Sequence, residues 1–86
     1  MPEISRFLGI VIRMYPFDHT PPHFHARYVG KKARILIAPT EPLDSDLPPR
    51  VLALVLEWAK LHEKELLQNW GRLQTGEPPR RIAPLE

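Results

Sequence analysis

Eleven of the 86 residues are proline, and where they fall decides where regular structure can start and stop. A proline has no N–H to give to a ladder or to a helix interior, so each one closes a strand, opens a helix or stiffens a loop. Pro16 closes the stretch from Arg6 to Tyr15, whose β-branched and aromatic content predicts a strand within 6–15, with Gly9 as a bulge. Pro21-Pro22 fixes φ twice just ahead of His23-Phe24-His25-Ala26-Arg27-Tyr28, a second predicted strand over 23–28. Gly30-Lys31-Lys32 turns the chain into a third strand over 33–38, halted near Pro39. Residues 39–49 hold four prolines and three acids and read as an irregular connection. Pro48-Pro49 then opens a helix at the one position where proline is tolerated.

That helix is expected over about 49–70. On a 3.6-residue wheel Val51, Val55, Trp58, His62, Leu66 and Leu73 share one sector, while Arg50, Glu57, Lys60, Lys64 and Gln68 lie opposite. His62 therefore reads as a core imidazole that meets a backbone carbonyl or a tyrosine hydroxyl, and Trp58 and Trp70 read as core. Gly71 or Gly76 ends the helix, and residues 77–86 form an extended, proline-stiffened arm. The arm carries Arg80 and Arg81 beside the apolar Ile82 and Leu85, suited to docking on a partner or to closing over its own sheet. The expected fold is a single α+β domain over 1–86: a three-stranded antiparallel meander packed on one long helix, with a C-terminal arm.

With no cysteine in the chain, disulfides and thiolate metal sites are excluded, which fits a reducing cytoplasm. No apolar run approaches the ~18 residues of a membrane span, and the opening lacks a signal-peptide pattern. The net charge is only +2, but it is unevenly placed. Residues 1–38 carry six Lys or Arg against Glu3 and Asp18, whereas residues 39–70 carry three against six acids.

The chemistry collects in Asp18-His19-Thr20-Pro21-Pro22-His23-Phe24-His25. Alternation along a strand sends His23, His25 and Arg27 to one side and Phe24, Ala26 and Tyr28 to the other. Three readings share these residues. In the first, His23 and His25 hold one zinc or other divalent ion, with His19 folding back across the proline elbow and Asp18 or a helix residue completing the shell. In the second, His23, His25, Arg27 and Tyr28, or alternatively Tyr15, perform metal-free acid–base cleavage of RNA with cationic stabilisation of a phosphorane. In the third, Arg27, Lys31, Lys32 and Arg34, with Arg80 and Arg81 of the arm, form a basic surface that binds nucleic acid or a protein without chemistry.

The blocks Met1-Pro2-Glu3-Ile4-Ser5-Arg6-Phe7-Leu8-Gly9-Ile10, His19-Thr20-Pro21-Pro22-His23-Phe24-His25-Ala26-Arg27-Tyr28, Leu47-Pro48-Pro49-Arg50, Leu56-Glu57-Trp58-Ala59 and Asn69-Trp70 resemble the small bacterial proteins grouped as domain of unknown function 4160. The resemblance covers nearly the whole chain. It implies a component of a toxin–antitoxin-like gene pair, with a small protein encoded next door as its partner and nucleic acid as a candidate target, in a chain whose composition already reads as cytoplasmic. It leaves the biochemical activity and the oligomeric state open.

Overall fold

Leu8 and Gly9 fold what reads as one strand into a hairpin. Their φ angles of 50° and 80° are the left-handed pair that a two-residue turn requires, and Phe7 pairs directly with Ile10 across it. The computed structural model describes residues 3–85; Met1, Pro2 and Glu86, the outer limits of the expected domain and arm, lie outside the described residues. Five strands, β1 (Glu3–Phe7), β2 (Ile10–Arg13), β3 (His23–Tyr28), β4 (Lys31–Leu36) and β5 (Glu41–Ser45), precede two helices, α1 (Pro49–Leu61) and α2 (Glu63–Gln74). The strands pair in sequence order as an antiparallel meander.

The expected three-stranded sheet on one long helix is thus corrected at three points. Residues 6–15 hold a turn at Leu8-Gly9, not a bulge. A fifth strand forms within the supposed irregular connection: Pro42 is accepted there because β5 is an edge strand, where a missing N–H costs no ladder bond. The predicted helix is also divided at His62, whose φ of −117° and ψ of 25° leave helical geometry. Its N–H is shared between the carbonyls of Trp58 and Ala59, at 3.1 and 3.2 Å. The imidazole Nδ1 lies 2.6 Å from the Glu65 carboxylate, so His62 meets a carboxylate and not the carbonyl or phenol expected of it. Lys60 lies in the last turn of α1 and Glu63 and Glu65 in the first turn of α2, the charge order that two separate helix dipoles favour.

One side of the sheet is apolar and faces the helices. Ile10, Ile12 and Met14, then Phe24 and Ala26, then Ala33, Ile35 and Ile37 are buried in alternation along β2, β3, β4 and the residues that follow them. Val51, Val55 and Trp58 of α1 and Leu66, Trp70 and Leu73 of α2 close over them. Trp58 is fully buried, with Phe7 and Phe24 rings at centroid distances of 5.4 and 5.8 Å. Truncating such a residue to alanine costs about 3–5 kcal/mol.

The end of α2 is a Schellman arrangement: Glu77 N–H donates to the Arg72 carbonyl, Gly76 N–H to that of Leu73, and Gly76 takes φ +81°. The chain then returns along β1. Ile82 N–H donates to the Ile4 carbonyl at 2.8 Å, Ser5 Oγ donates to the Ile82 carbonyl at 3.0 Å, and Trp58 Nε1 donates to the Ala83 carbonyl at 2.8 Å. Ile82 is buried. Of the two roles open to the arm, it closes over its own sheet and covers the β1 edge, which would otherwise offer unpaired backbone groups.

Candidate metal centre

The loop between β2 and β3 bends Asp18 back over the first residues of β3. Two contacts, one from the next residue and one from 56 positions away, fix it. The His19 N–H donates to Asp18 Oδ1 at 2.8 Å, and Gln74 Nε2, at the end of α2, donates to the Asp18 carbonyl at 3.3 Å. The other carboxylate oxygen, Oδ2, then stands 3.1 Å from His23 Nε2 and 3.3 Å from His25 Nε2. One donor atom from each of Asp18, His23 and His25 lies within 4.8 Å of the other two.

His23 is the buried member, 5 % exposed, wedged between the rings of Trp70 and His25 at centroid distances of 5.5 and 5.2 Å. Its Nδ1 lies 2.8 Å from the Pro21 carbonyl oxygen. A carbonyl can only accept, so Nδ1 carries the proton and donates it there. In the neutral ring Nε2 is then a bare lone pair aimed at a carboxylate oxygen. Two acceptors at that distance repel, and the contact becomes attractive only when a positive centre, a proton or a metal ion, sits between them.

The charges at the site are set by competing effects. Partial burial works against the Asp18 charge, but the His19 N–H, the His25 hydrogen bond and the two imidazoles outweigh it and hold the carboxyl below its usual value. Asp18 is therefore ionised at neutral pH. Burial pushes His25 below the ordinary imidazole value; Asp18 pulls it upward, and the charges of His23 and Arg34 push it down further. His25 is thus held neutral, the form in which a ring nitrogen ligates a metal. The Tyr15 ring meets it edge-on at 4.6 Å.

The remaining candidate residues are distributed unevenly. His19 joins only through its backbone, and its side chain is exposed. Arg27, Lys32 and Arg34 stand on the same side of the sheet as His25, with Arg34 paired to Asp44 of β5. Tyr28 packs against the core and lies 3.5 Å from the Cβ position of Gly9, on the opposite side from His25. Lys31 is at the β3–β4 turn, away from the cluster. Arg80 and Arg81 belong to the returning arm, where Arg81 bonds Glu3 at 3.0 Å. Sequence reasoning passed over Arg13, which sits opposite His25 on β2; the outward alternation of Val11, Arg13 and Tyr15 was its signal.

What the fold and cluster define is a two-layer α+β protein whose sheet carries two imidazoles and one carboxylate at a loop-to-strand junction. The family model described as Domain of unknown function (DUF4160) matches residues 9–71, which include the whole cluster, and the chain belongs to that family. No curated protein and no solved structure matches it. No helix among the described residues is long and apolar enough to cross a membrane.

Proposed function

We propose that the protein binds a divalent metal through His23 Nε2, His25 Nε2 and Asp18 Oδ2, and that metal-assisted hydrolysis is the chemistry this site serves. The observation that carries the reading is that His23 Nε2 faces the Asp18 carboxylate at 3.1 Å while its Nδ1 is engaged by the Pro21 carbonyl. A ligating histidine commonly gives its other N–H to a backbone carbonyl, which fixes the tautomer. Spacing supports it as well. Two ligand atoms each ~2.1 Å from an ion and ~95–110° apart lie ~3.1–3.4 Å from one another; the two separations from Asp18 Oδ2 are 3.1 and 3.3 Å, and all three donor atoms lie within 4.8 Å of one another. Three protein ligands leave a position open for water or substrate, as catalytic zinc sites do. Zinc suits imidazole and carboxylate donors, and manganese and nickel are the alternatives.

Titration calorimetry of untagged protein with zinc tests this. One ion per chain is expected, lost in His25→Ala and Asp18→Asn and retained in His19→Ala. Wild-type protein that binds zinc, nickel and manganese no tighter than millimolar overturns the reading.

A second occupant of the same gap is a proton. The 3.1 Å contact is also that of an imidazolium–carboxylate hydrogen bond, the arrangement a metal-free acid–base site on RNA would use. The calorimetric result separates the two. The role as one component of a toxin–antitoxin-like pair in a bacterial cytoplasm is supported by the family resemblance, and co-purification with the neighbouring gene product tests it.

A further inference from the structure

The side of the sheet that turns away from the helices carries a second feature. Register places Arg13, His25, Arg34 and Asp44 in one row across four strands, and Val11, Arg27 and Lys32 in the row beside it. Arg34 is committed to Asp44. Among the described residues, Arg13, Arg27 and Lys32 take part in no ion pair. Arg13 Nε is buried and has no hydrogen-bond partner, a cost the fold bears to hold this guanidinium in place.

These three cations surround a cavity of about 60 Å³, lined also by Val11, Tyr15 and His25. That volume is several times the ~10–15 Å³ that admits one water, and it suits a small tetrahedral oxyanion. Among the described residues no carboxylate lines it. Across His25 and Lys32 the surface opens into a groove of about 390 Å³, edged by Arg34, Asp44, Ser45 and Asp46. The groove has acceptors that an anion avoids and that hydroxyl groups can use. The two spaces share His25 and Lys32, so a ligand with an anionic head and a hydroxylated body can lie across both.

We propose that Arg13, Arg27 and Lys32 form a binding site for a phosphate ester, with the phosphoryl group in the small cavity beside His25 and its alcohol portion in the groove toward β5. Arg13 and Arg27 bring two guanidinium groups to the cavity lining, and a guanidinium can give paired N–H groups to two phosphoryl oxygens, the geometry in which it binds phosphate most strongly. Lys32 supplies a point charge at the junction of the two spaces. As the substrate class of the metal site this assignment rests on the metal reading, whereas the anion contacts themselves need no ion.

The test is phosphate-ester binding followed by calorimetry, on zinc-loaded and zinc-free protein, with two probes: adenosine monophosphate and a short single-stranded oligothymidylate. Arg13→Gln and Lys32→Gln should each weaken binding of the ester probes about tenfold and leave zinc affinity unchanged. Lys32 is exposed, so its variant keeps the test decisive should Arg13→Gln fold poorly. Asp44→Asn, which releases Arg34, should strengthen binding. A strand that binds more tightly than the mononucleotide, with a salt dependence about one unit shallower in each variant, identifies nucleic acid as the source of the ester. Equal affinity identifies a free nucleotide. Zinc binding without any ester binding, or ester binding indifferent to both variants, overturns the proposal and leaves the metal reading intact. Ester binding that is sensitive to both variants in a protein that takes up no zinc supports it and removes the metal reading alone.

Discussion

Asn69 and Arg80 are joined twice: the side-chain Nδ2 donates to the Arg80 carbonyl at 2.8 Å, and the Arg80 backbone N–H donates to Oδ1 at 2.8 Å. The amide of α2 thus stands in for a neighbouring strand and holds the returning chain in an extended path. Asn69 is 1 % exposed, so both bonds lie away from water on its side. Asn69→Leu should cost about 2 kcal/mol, because two backbone groups lose their partners. A melting temperature lowered by roughly 10 °C is expected; a shift within ~2 °C would show that the arm holds without this clamp.

Removing residues 77–86 should be more damaging still. It exposes the surface that Ile82 covers and leaves the buried Trp58 N–H without the Ala83 carbonyl. Together these amount to about 3 kcal/mol or more. A truncated chain that melts within a few degrees of the full chain would contradict the structural role of the arm.

The depressed His25 makes stability depend on pH in a definite sense. Its folded value lies below the ordinary imidazole value of 6.5, so over that interval the unfolded chain binds more protons, and stability rises with pH. The contribution of neutral His25 is complete above pH 6.5 and is lost as pH falls toward the folded value. In metal-free protein His25→Gln should flatten the urea-unfolding profile between about pH 7 and 5. An unchanged slope would mean that the ring titrates alike in both states. Asp18, lowered from 3.8, adds a further loss at more acidic pH.

Val29 occupies the first position of the β3–β4 turn at φ 47°, a region costly for a β-branched residue. It is also 80 % exposed, so nothing is gained from its burial. Val29→Asn should stabilise the protein by about 1 kcal/mol, read as a higher urea midpoint with an unchanged slope. A fall in the midpoint would show that Val29 makes a contact in solution that compensates its backbone.

The sequence was most legible where one period governs a segment. In β3 and β4 the alternation that separates His25 and Arg34 from Phe24, Ala26 and Ile35 describes the strands directly. It was least legible where a local rule yields to packing. Leu8-Gly9 lacks the Asn or Asp that announces a left-handed turn, and Pro42 masks β5 because edge strands tolerate what inner strands reject. No proline or glycine marks the division at His62; the change from Lys60 to Glu63 and Glu65 was the visible signal. In the site, His19 was as plausible a ligand as His25 by residue type. What brings Asp18 to the cluster includes Gln74, 56 positions away, a contact no local pattern encodes.

The bond between Ile82 and Ile4 also bears on how the polypeptide can be rearranged. The described residues begin and finish side by side, so a short linker from the arm to β1 would give a circular permutant with no long span to bridge. New ends placed in the exposed β3–β4 turn at Val29-Gly30 would leave the hydrogen bonds between β1 and the arm within one continuous segment. The order in which strands emerge during synthesis would change, while every contact around Asp18, His23 and His25 would be kept.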